Sequence, residues 1–353
     1  MRTLALLAAL AGFVAPAAAD DKDVKLKVGD KAPPVKAAKW LQGAEVKEFA
    51  AGKVYVVEFW STWCGPCIVM MPHMGELHAR YKDKGVTLVA FTTKDKNGNS
   101  LEKVQALVER RGPKLGYTFA YADDDETNDA WMKAAGRSGI PCCFVVDKAG
   151  KIAYIGHPMY LDVVLPKVVA GKWTEEDADA VKKVQEDVAV VFAAFRDPDA
   201  EAGLKELAAF QKAHPELAGI PYFHHSRITA LLKLKRVDEA KKIAEELIAK
   251  GTKNDDHTLL TMVSGVLVSP AANGDKHLLA LALTAAEAAL KAAGDKDIFA
   301  LLTLAEAHFA NGDRAKAKEF GAKAVAAAEA ESLGLKKFVA DEVKKFDDKP
   351  KDK

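Results

Sequence analysis

The sequence predicts an α/β sandwich followed by an all-α helical-repeat domain. Up to Trp173, short apolar runs rich in Val, Phe and Tyr alternate with segments of helical spacing. Beyond Trp173 the β-type runs vanish, and Ala, Leu, Lys and Glu recur at helical spacing to about Lys345. The change of composition sets the expected organisation: signal peptide 1–19, linker 20–36, α/β domain 37–173, helical domain 174–345 and charged tail 346–353.

Met1-Arg2 precedes an apolar stretch from Leu4 to Val14, which closes on Ala17-Ala18-Ala19 before Asp20. A positive end, an apolar core and an A-x-A site form a secretory signal peptide cleaved after Ala19. The stretch is too short and too rich in small residues for a stable membrane anchor. No cysteine follows it for lipid attachment. A periplasmic or secreted protein is expected. Asp20 to Lys36 is polar and contains Pro33-Pro34, so it reads as a linker.

Within the first domain the expected order is strand Val54 to Trp60, helix Pro66 to Lys82, strand Val86 to Phe91 and helix Leu101 to Arg111. A short strand from Tyr117 to Tyr121 and a helix from Thr127 to Ala135 follow. Strands Cys142 to Asp147 and Ile152 to Gly156 form a hairpin around the glycine-marked turn Lys148-Ala149-Gly150-Lys151, and a helix from Leu161 to Ala170 closes the domain.

The five residues Trp63-Cys64-Gly65-Pro66-Cys67 carry the chemistry. Two residues between the sulfurs let one helical turn bring them within disulfide reach. Cys64 stands at the helix start, where unpaired N–H groups and the helix dipole favour thiolate over thiol, and it is the predicted nucleophile. Cys67, one turn inward, is the predicted resolving thiol. The competing reading of C-x-x-C as half a zinc site needs two further ligands at close spacing. The remaining cysteines, Cys142 and Cys143, are adjacent in an apolar run, and neighbours in a strand point to opposite faces. They read as buried small hydrophobes. His73, His78, His157, His224 and His225 lack partners at ligand spacing, so neither metal nor cofactor is assigned.

From Glu58 to Cys67 the chain resembles the active-site strand and turn of the thioredoxin superfamily. The run Cys142 to Ile152 and the extra sequence between the motifs are similar to the bacterial extracytoplasmic, TlpA/ResA-like branch of thiol-disulfide oxidoreductases. That resemblance implies a thioredoxin-like fold and gives several residues a role. Glu58, at the position of the family's buried acid, becomes the proton shuttle. Gly139-Ile140-Pro141 matches the loop whose proline is cis and faces the dithiol, and Pro72 matches the proline of the active-site helix. Trp63, Gly65, Pro66, Ile140 and Pro141 become the substrate-binding surface. Met70 stands where the branch often carries a second glutamate, leaving the acid role to Glu58. The T-x-x-C motif of a peroxiredoxin is absent.

In the helical domain, Leu304 to Val325 and Arg227 to Ile248 resemble tetratricopeptide hairpins. Leu259 to Ala293 resembles a degenerate third, interrupted at Ser269-Pro270. Such units cannot bury their apolar faces alone, so about three are expected to stack and present a surface to a protein partner. An irregular helical bundle is the alternative. Phe346 to Lys353 reads as a disordered tail.

At 353 residues and a formal net charge of +1, the chain has room for two domains and no electrostatic footprint for nucleic acid or an anionic membrane. The expected partners are cysteine-containing extracytoplasmic proteins and an external electron donor or acceptor. The expected activity is an exported C-G-P-C thiol-disulfide oxidoreductase that reduces or exchanges disulfides. The rival is an interaction scaffold whose helical repeats are the main function, with a low-turnover thioredoxin-like module.

Overall fold

A computed structural model of the protein describes residues 25–331 and 333–347. The expected signal peptide, residues 20–24 of the expected linker and residues 348–353 lie outside the described residues. The chain divides into two compact units. One comprises the described residues up to Phe192 together with Leu207–Pro221; the other comprises Ala193–Glu206 and the described residues from Tyr222 onward.

The first unit is built on six strands: β1 (Lys39–Gln42), β2 (Val54–Phe59), β3 (Val86–Thr93), β4 (Thr118–Ala122), β5 (Cys142–Val146) and β6 (Ile152–Gly156). They lie in the order β1-β4-β3-β2-β5-β6. β2, β3 and β4 run parallel, while β1, β5 and β6 are each antiparallel to their neighbour. Every residue of β2 is buried, which explains its unbroken run of apolar side chains at the middle of the sheet.

The helices are α1 (Gly65–Tyr81), α2 (Leu101–Leu115), α3 (Glu126–Asn128, continuing as a π-helical turn over Asp129–Lys133) and α4 (Leu161–Val169). α1 runs without a break through Pro72. α2 passes Pro113 and runs to Leu115, four residues beyond the expected end at Arg111, and Gly116 caps it with φ of 73°, a left-handed conformation that glycine tolerates. Pro113 lacks the N–H that would bond the carbonyl four residues back, so the last turn of α2 holds one backbone bond fewer. α1 meets α2 at Gly75, where a Cβ would lie 3.0 Å from the Leu115 carbonyl oxygen. Asp162 of α4 is tied to α1, pairing with His73 Nε2 at 2.6 Å and accepting a hydrogen bond from Arg80 at 3.0 Å.

One face of the sheet packs Val57, Phe59, Val89, Phe91 and Phe144 around Trp131, whose ring meets Phe144 edge-on at 5.1 Å. Residues 25–36, expected as a linker, belong to this core. Leu26, Ala32 and Val35 are buried in it. The Lys25 and Leu26 N–H groups donate to Ala134, and Lys36 N–H donates to Thr127 Oγ1. These apolar residues follow no helical or strand period, so the segment is held by tertiary contacts alone. The composition change at Trp173 likewise precedes the edge of the unit, which includes α5 (Glu175–Arg196) as far as Phe192. α5 buries Val181, Val184, Val188 and Val191, one stripe of a helix.

The second unit contains α7 (Phe223–Lys233), α8 (Val237–Asn254), α9 (His257–Leu267), α10 (Lys276–Ala293), α11 (Ile298–Ala310), α12 (Arg314–Ala327) and α13 (Leu333–Val343), after the start of α6 (Ala200–Ala213). Asp256, Asp275, Asp297 and Asp313 cap α9 to α12 by accepting backbone N–H groups of the first turn. Each of α7 to α13 packs on its sequence neighbour, and α7, α8 and α9 also reach the next but one. The fully buried Ala282, Ala285, Ala286 and Ala289 of α10, and Ala305, Ala317 and Ala324 of α11 and α12, permit that close approach. Ser269-Pro270 opens a 3-10 turn between α9 and α10. Phe346, expected in a disordered tail, is buried with its ring 5.5 Å from Phe309. An aromatic ring adjoining a charged run is still worth burying, at about 2–3 kcal/mol. Among the described residues no helix is long and apolar enough to cross a membrane.

Candidate active site

β2 delivers the chain to the site, and α1 begins there. Cys64 is the N-cap of α1, and Pro66 occupies its first turn, where a missing N–H costs nothing. Cys64 and Cys67 are joined by a disulfide, with Cα atoms 5.3 Å apart. The Cys67 N–H donates to Cys64 Sγ at 3.3 Å. In the dithiol form this donor and the helix N-terminus stabilise negative charge on Cys64. Cys67 is fully buried, while Cys64 retains 3% exposure. Trp63 beside it is 47% exposed.

Glu58 points to the sheet face opposite Val57 and Phe59, and it is fully buried. Neither carboxylate oxygen has a hydrogen-bond partner. Loss of hydration pushes its pKa from 4.5 up to about 8, so the carboxyl is mostly protonated at neutral pH. Cys143 stands directly across from Glu58 in the antiparallel register of β5. Cys142 and Cys143 are both buried free thiols. Burial pushes the Cys142 thiol up to about 12 and Cys143 well above its ordinary range, so neither is ionised near neutrality.

The same register pairs Phe59 with Cys142. Pro141, the residue before Cys142, therefore lies at the end of the sheet where the active-site turn leaves β2. The Ile140–Pro141 bond is cis.

A second group of residues, invisible to motif reading, fixes the turn. Asp95 Oδ2 accepts the Trp63 indole N–H at 2.6 Å, and its Oδ1 accepts the N–H groups of Asn97 and Asn99. Asn99 Oδ1 accepts the Thr62 N–H at 3.0 Å and the Thr62 hydroxyl at 2.8 Å. The amide of Asn99 donates to Thr92 Oγ1, and the Thr92 hydroxyl donates to the Trp60 carbonyl. The loop after β3 thus holds residues 60 to 63 through side chains more than thirty positions away. Its turn-rich sequence Lys94-Asp95-Lys96-Asn97-Gly98-Asn99 at the carboxyl end of a parallel strand was the available signal. No group of three or more His, Cys, Asp or Glu able to hold a metal occurs among the described residues.

A disulfide at a helix N-terminus, over a buried carboxyl at the centre of a mixed sheet, defines a dithiol oxidoreductase. The family model Redoxin matches residues 27–159. Thiol-disulfide oxidoreductase ResA of Geobacillus thermodenitrificans is 31% identical over 180 residues, covering 50% of this chain and 90% of that protein. Protein FixW of Rhizobium leguminosarum is 33% identical over 151 residues, covering 42% of this chain and 68% of FixW. Among solved structures, the thioredoxin domain of a thiol-disulfide oxidoreductase from Bacteroides vulgatus is 26% identical with a TM-score of 0.30, covering 36% of this chain and 86% of that one. The chain belongs to the thioredoxin-like thiol-disulfide oxidoreductases, and the helices from α5 onward lie beyond the part matched by the family model.

Proposed function

We propose that the protein is an exported oxidoreductase whose C-G-P-C dithiol reduces or exchanges disulfides of cysteine-containing extracytoplasmic proteins. The observation that carries this reading is the Cys64 sulfur, bonded to Cys67 and accepting the Cys67 N–H at the start of α1. In the dithiol form Cys64 attacks a substrate disulfide, forming a mixed disulfide and releasing one substrate thiolate, which takes a proton. Glu58, in the fraction of molecules where it is ionised, takes the proton of Cys67, which attacks Cys64, releasing the second substrate thiol and closing the intramolecular disulfide. Two electrons pass to the substrate, and an external dithiol donor restores them.

Trp63, Gly65 and Pro66, with Ile140 and Pro141 from the facing loop, form the surface that meets the substrate backbone. Export rests on the reading of residues 1–19 as a signal peptide. The helix pairs α7/α8, α9/α10 and α11/α12 fall where the tetratricopeptide-like hairpins are expected and support a role in recruiting a protein partner.

A Cys67→Ala variant tests the proposal, because it halts the cycle at the mixed disulfide. Covalent capture of disulfide-bearing exported proteins, reversed by dithiothreitol and lost on Cys64→Ser, is the expected result. Captured proteins that contain no cysteine would refute it.

A further inference from the structure

Glu58 has no access to solvent and no hydrogen-bond partner, yet the cycle requires it to release and regain a proton. Further buried polar atoms, just before β4 and on α1, are in the same condition. Tyr117 Oη and His78 Nδ1 also lack partners. Buried polar groups in native proteins are almost always hydrogen-bonded to protein or to ordered water. Unpartnered buried groups of this kind are the ones that internal water serves in native proteins.

The sheet register shows how they connect. Glu58 pairs with Ala90, and Ala90 pairs with Phe119. Ala90, between them on β3, puts only a methyl group on that face. Tyr117 stacks on Phe119 with ring centres 4.7 Å apart, and its hydroxyl feels the charge of Glu58. The His78 ring lies 6.4 Å from the Tyr117 ring and is half-buried on α1 near Lys82. Burial and Lys82 lower the His78 pKa, so its ring is neutral near pH 7 and can take up a proton. The other titratable or charged groups near Glu58 and Tyr117 are Cys142 and Cys143 on β5, whose thiols stay protonated, and Arg111 on α2, a fixed charge.

We propose that Tyr117 and His78, joined by buried water, form a proton relay that connects Glu58 to solvent between α1 and α2. This inference rests on the oxidoreductase reading of the same site. When a donor thiolate attacks Cys64 of the disulfide, the bond to Cys67 breaks and Cys67 leaves as a thiolate. Glu58 gives its proton to that thiolate. The resulting buried carboxylate recovers a proton through the Tyr117 hydroxyl, which passes its own proton to Glu58 and takes one from the His78 side, where solvent supplies it. In the opposite direction the proton of Cys67 leaves along the same path. Tyr117 and His78 touch neither sulfur, so they act through Glu58.

The test is reduction of the protein's own disulfide by excess dithiothreitol, followed by stopped-flow tryptophan fluorescence from pH 5 to 9 in H2O and D2O. Tyr117→Phe keeps the ring stack and removes only the hydroxyl; His78→Gln changes the half-exposed end. Each is expected to slow reduction about tenfold at pH 7, less than the roughly hundredfold or more for losing a direct proton-transfer group because Glu58 itself remains, and to enlarge the solvent isotope effect. The equilibrium constant with glutathione should stay at the wild-type value. Wild-type rates and pH profiles in both variants would overturn the relay. So would slow reduction accompanied by a changed equilibrium constant, which would mark a displaced disulfide. Because the assay uses no protein substrate, it separates the relay from the oxidoreductase reading, which fails instead if the wild-type protein exchanges with no substrate disulfide.

Discussion

Replacing Glu58 by Gln should flatten the pH dependence of the first unit's stability, and the size of the effect follows from the burial of one carboxyl. In the folded protein its pKa is about 8, against 4.5 when hydrated. Below pH 4.5 both states hold the proton, and the group's contribution to stability is fully present. As the pH rises through 4.5 the unfolded chain releases its proton while the folded chain keeps it, so stability falls by roughly 1.4 kcal/mol per pH unit. The fall ends near pH 8, where the folded carboxyl also ionises, after a total loss of roughly 5 kcal/mol. Gln keeps the volume and carries no charge at any pH. Urea unfolding of the oxidised protein, followed by tryptophan fluorescence, is the assay. All five tryptophans, at positions 40, 60, 63, 131 and 173, fall in the first unit, so the signal reports that unit alone. The variant should match wild type near pH 4 and exceed it by several kcal/mol at pH 9. Parallel curves across that range would show that Glu58 is hydrated, and would refute the argument.

Asn99→Ala removes the bonds that hold Thr62 and the amide that donates to the buried Thr92 hydroxyl, so stability should fall by about 2 kcal/mol and disulfide exchange should slow, measured by urea melts and by turnover of a peptide disulfide. Asp162→Ala leaves the largely buried His73 without its carboxylate and unties α4 from α1; a loss of about 3 kcal/mol in the same melts is expected. In the second unit, burial raises the Glu306 pKa to about 7, so its contribution is present below pH 4.5 and lost as pH rises through 7. Glu306→Gln should therefore raise thermal stability at pH 8 relative to pH 4.5, read by the helical circular dichroism signal.

The disulfide-bearing turn was legible because its signals are local. A fully buried β2 is written as consecutive apolar residues, and the helix start is written as Cys-Gly-Pro-Cys. The helix pairs were legible for the same reason, with breaks at Gly312-Asp313 and Ser269-Pro270. β1 left no comparable trace. Its four residues form an edge strand with an exposed or half-buried side chain at each position, so alternation has nothing to report. Leu26, Ala32 and Val35 fill the core at irregular intervals, which makes an ordered segment read like a linker. The network of Asp95 and Asn99 depends on side chains meeting across more than thirty residues, and only the fold brings them together. Tyr117 read as an ordinary strand residue because its unpaired hydroxyl is a property of its surroundings.

The proposed function has Cys64 perform disulfide exchange, and reduction of insulin by dithiothreitol tests it most directly. The full chain should accelerate insulin precipitation, and Cys64→Ser should return the rate to that of dithiothreitol alone. An equal acceleration by the wild-type protein and Cys64→Ser would contradict the account.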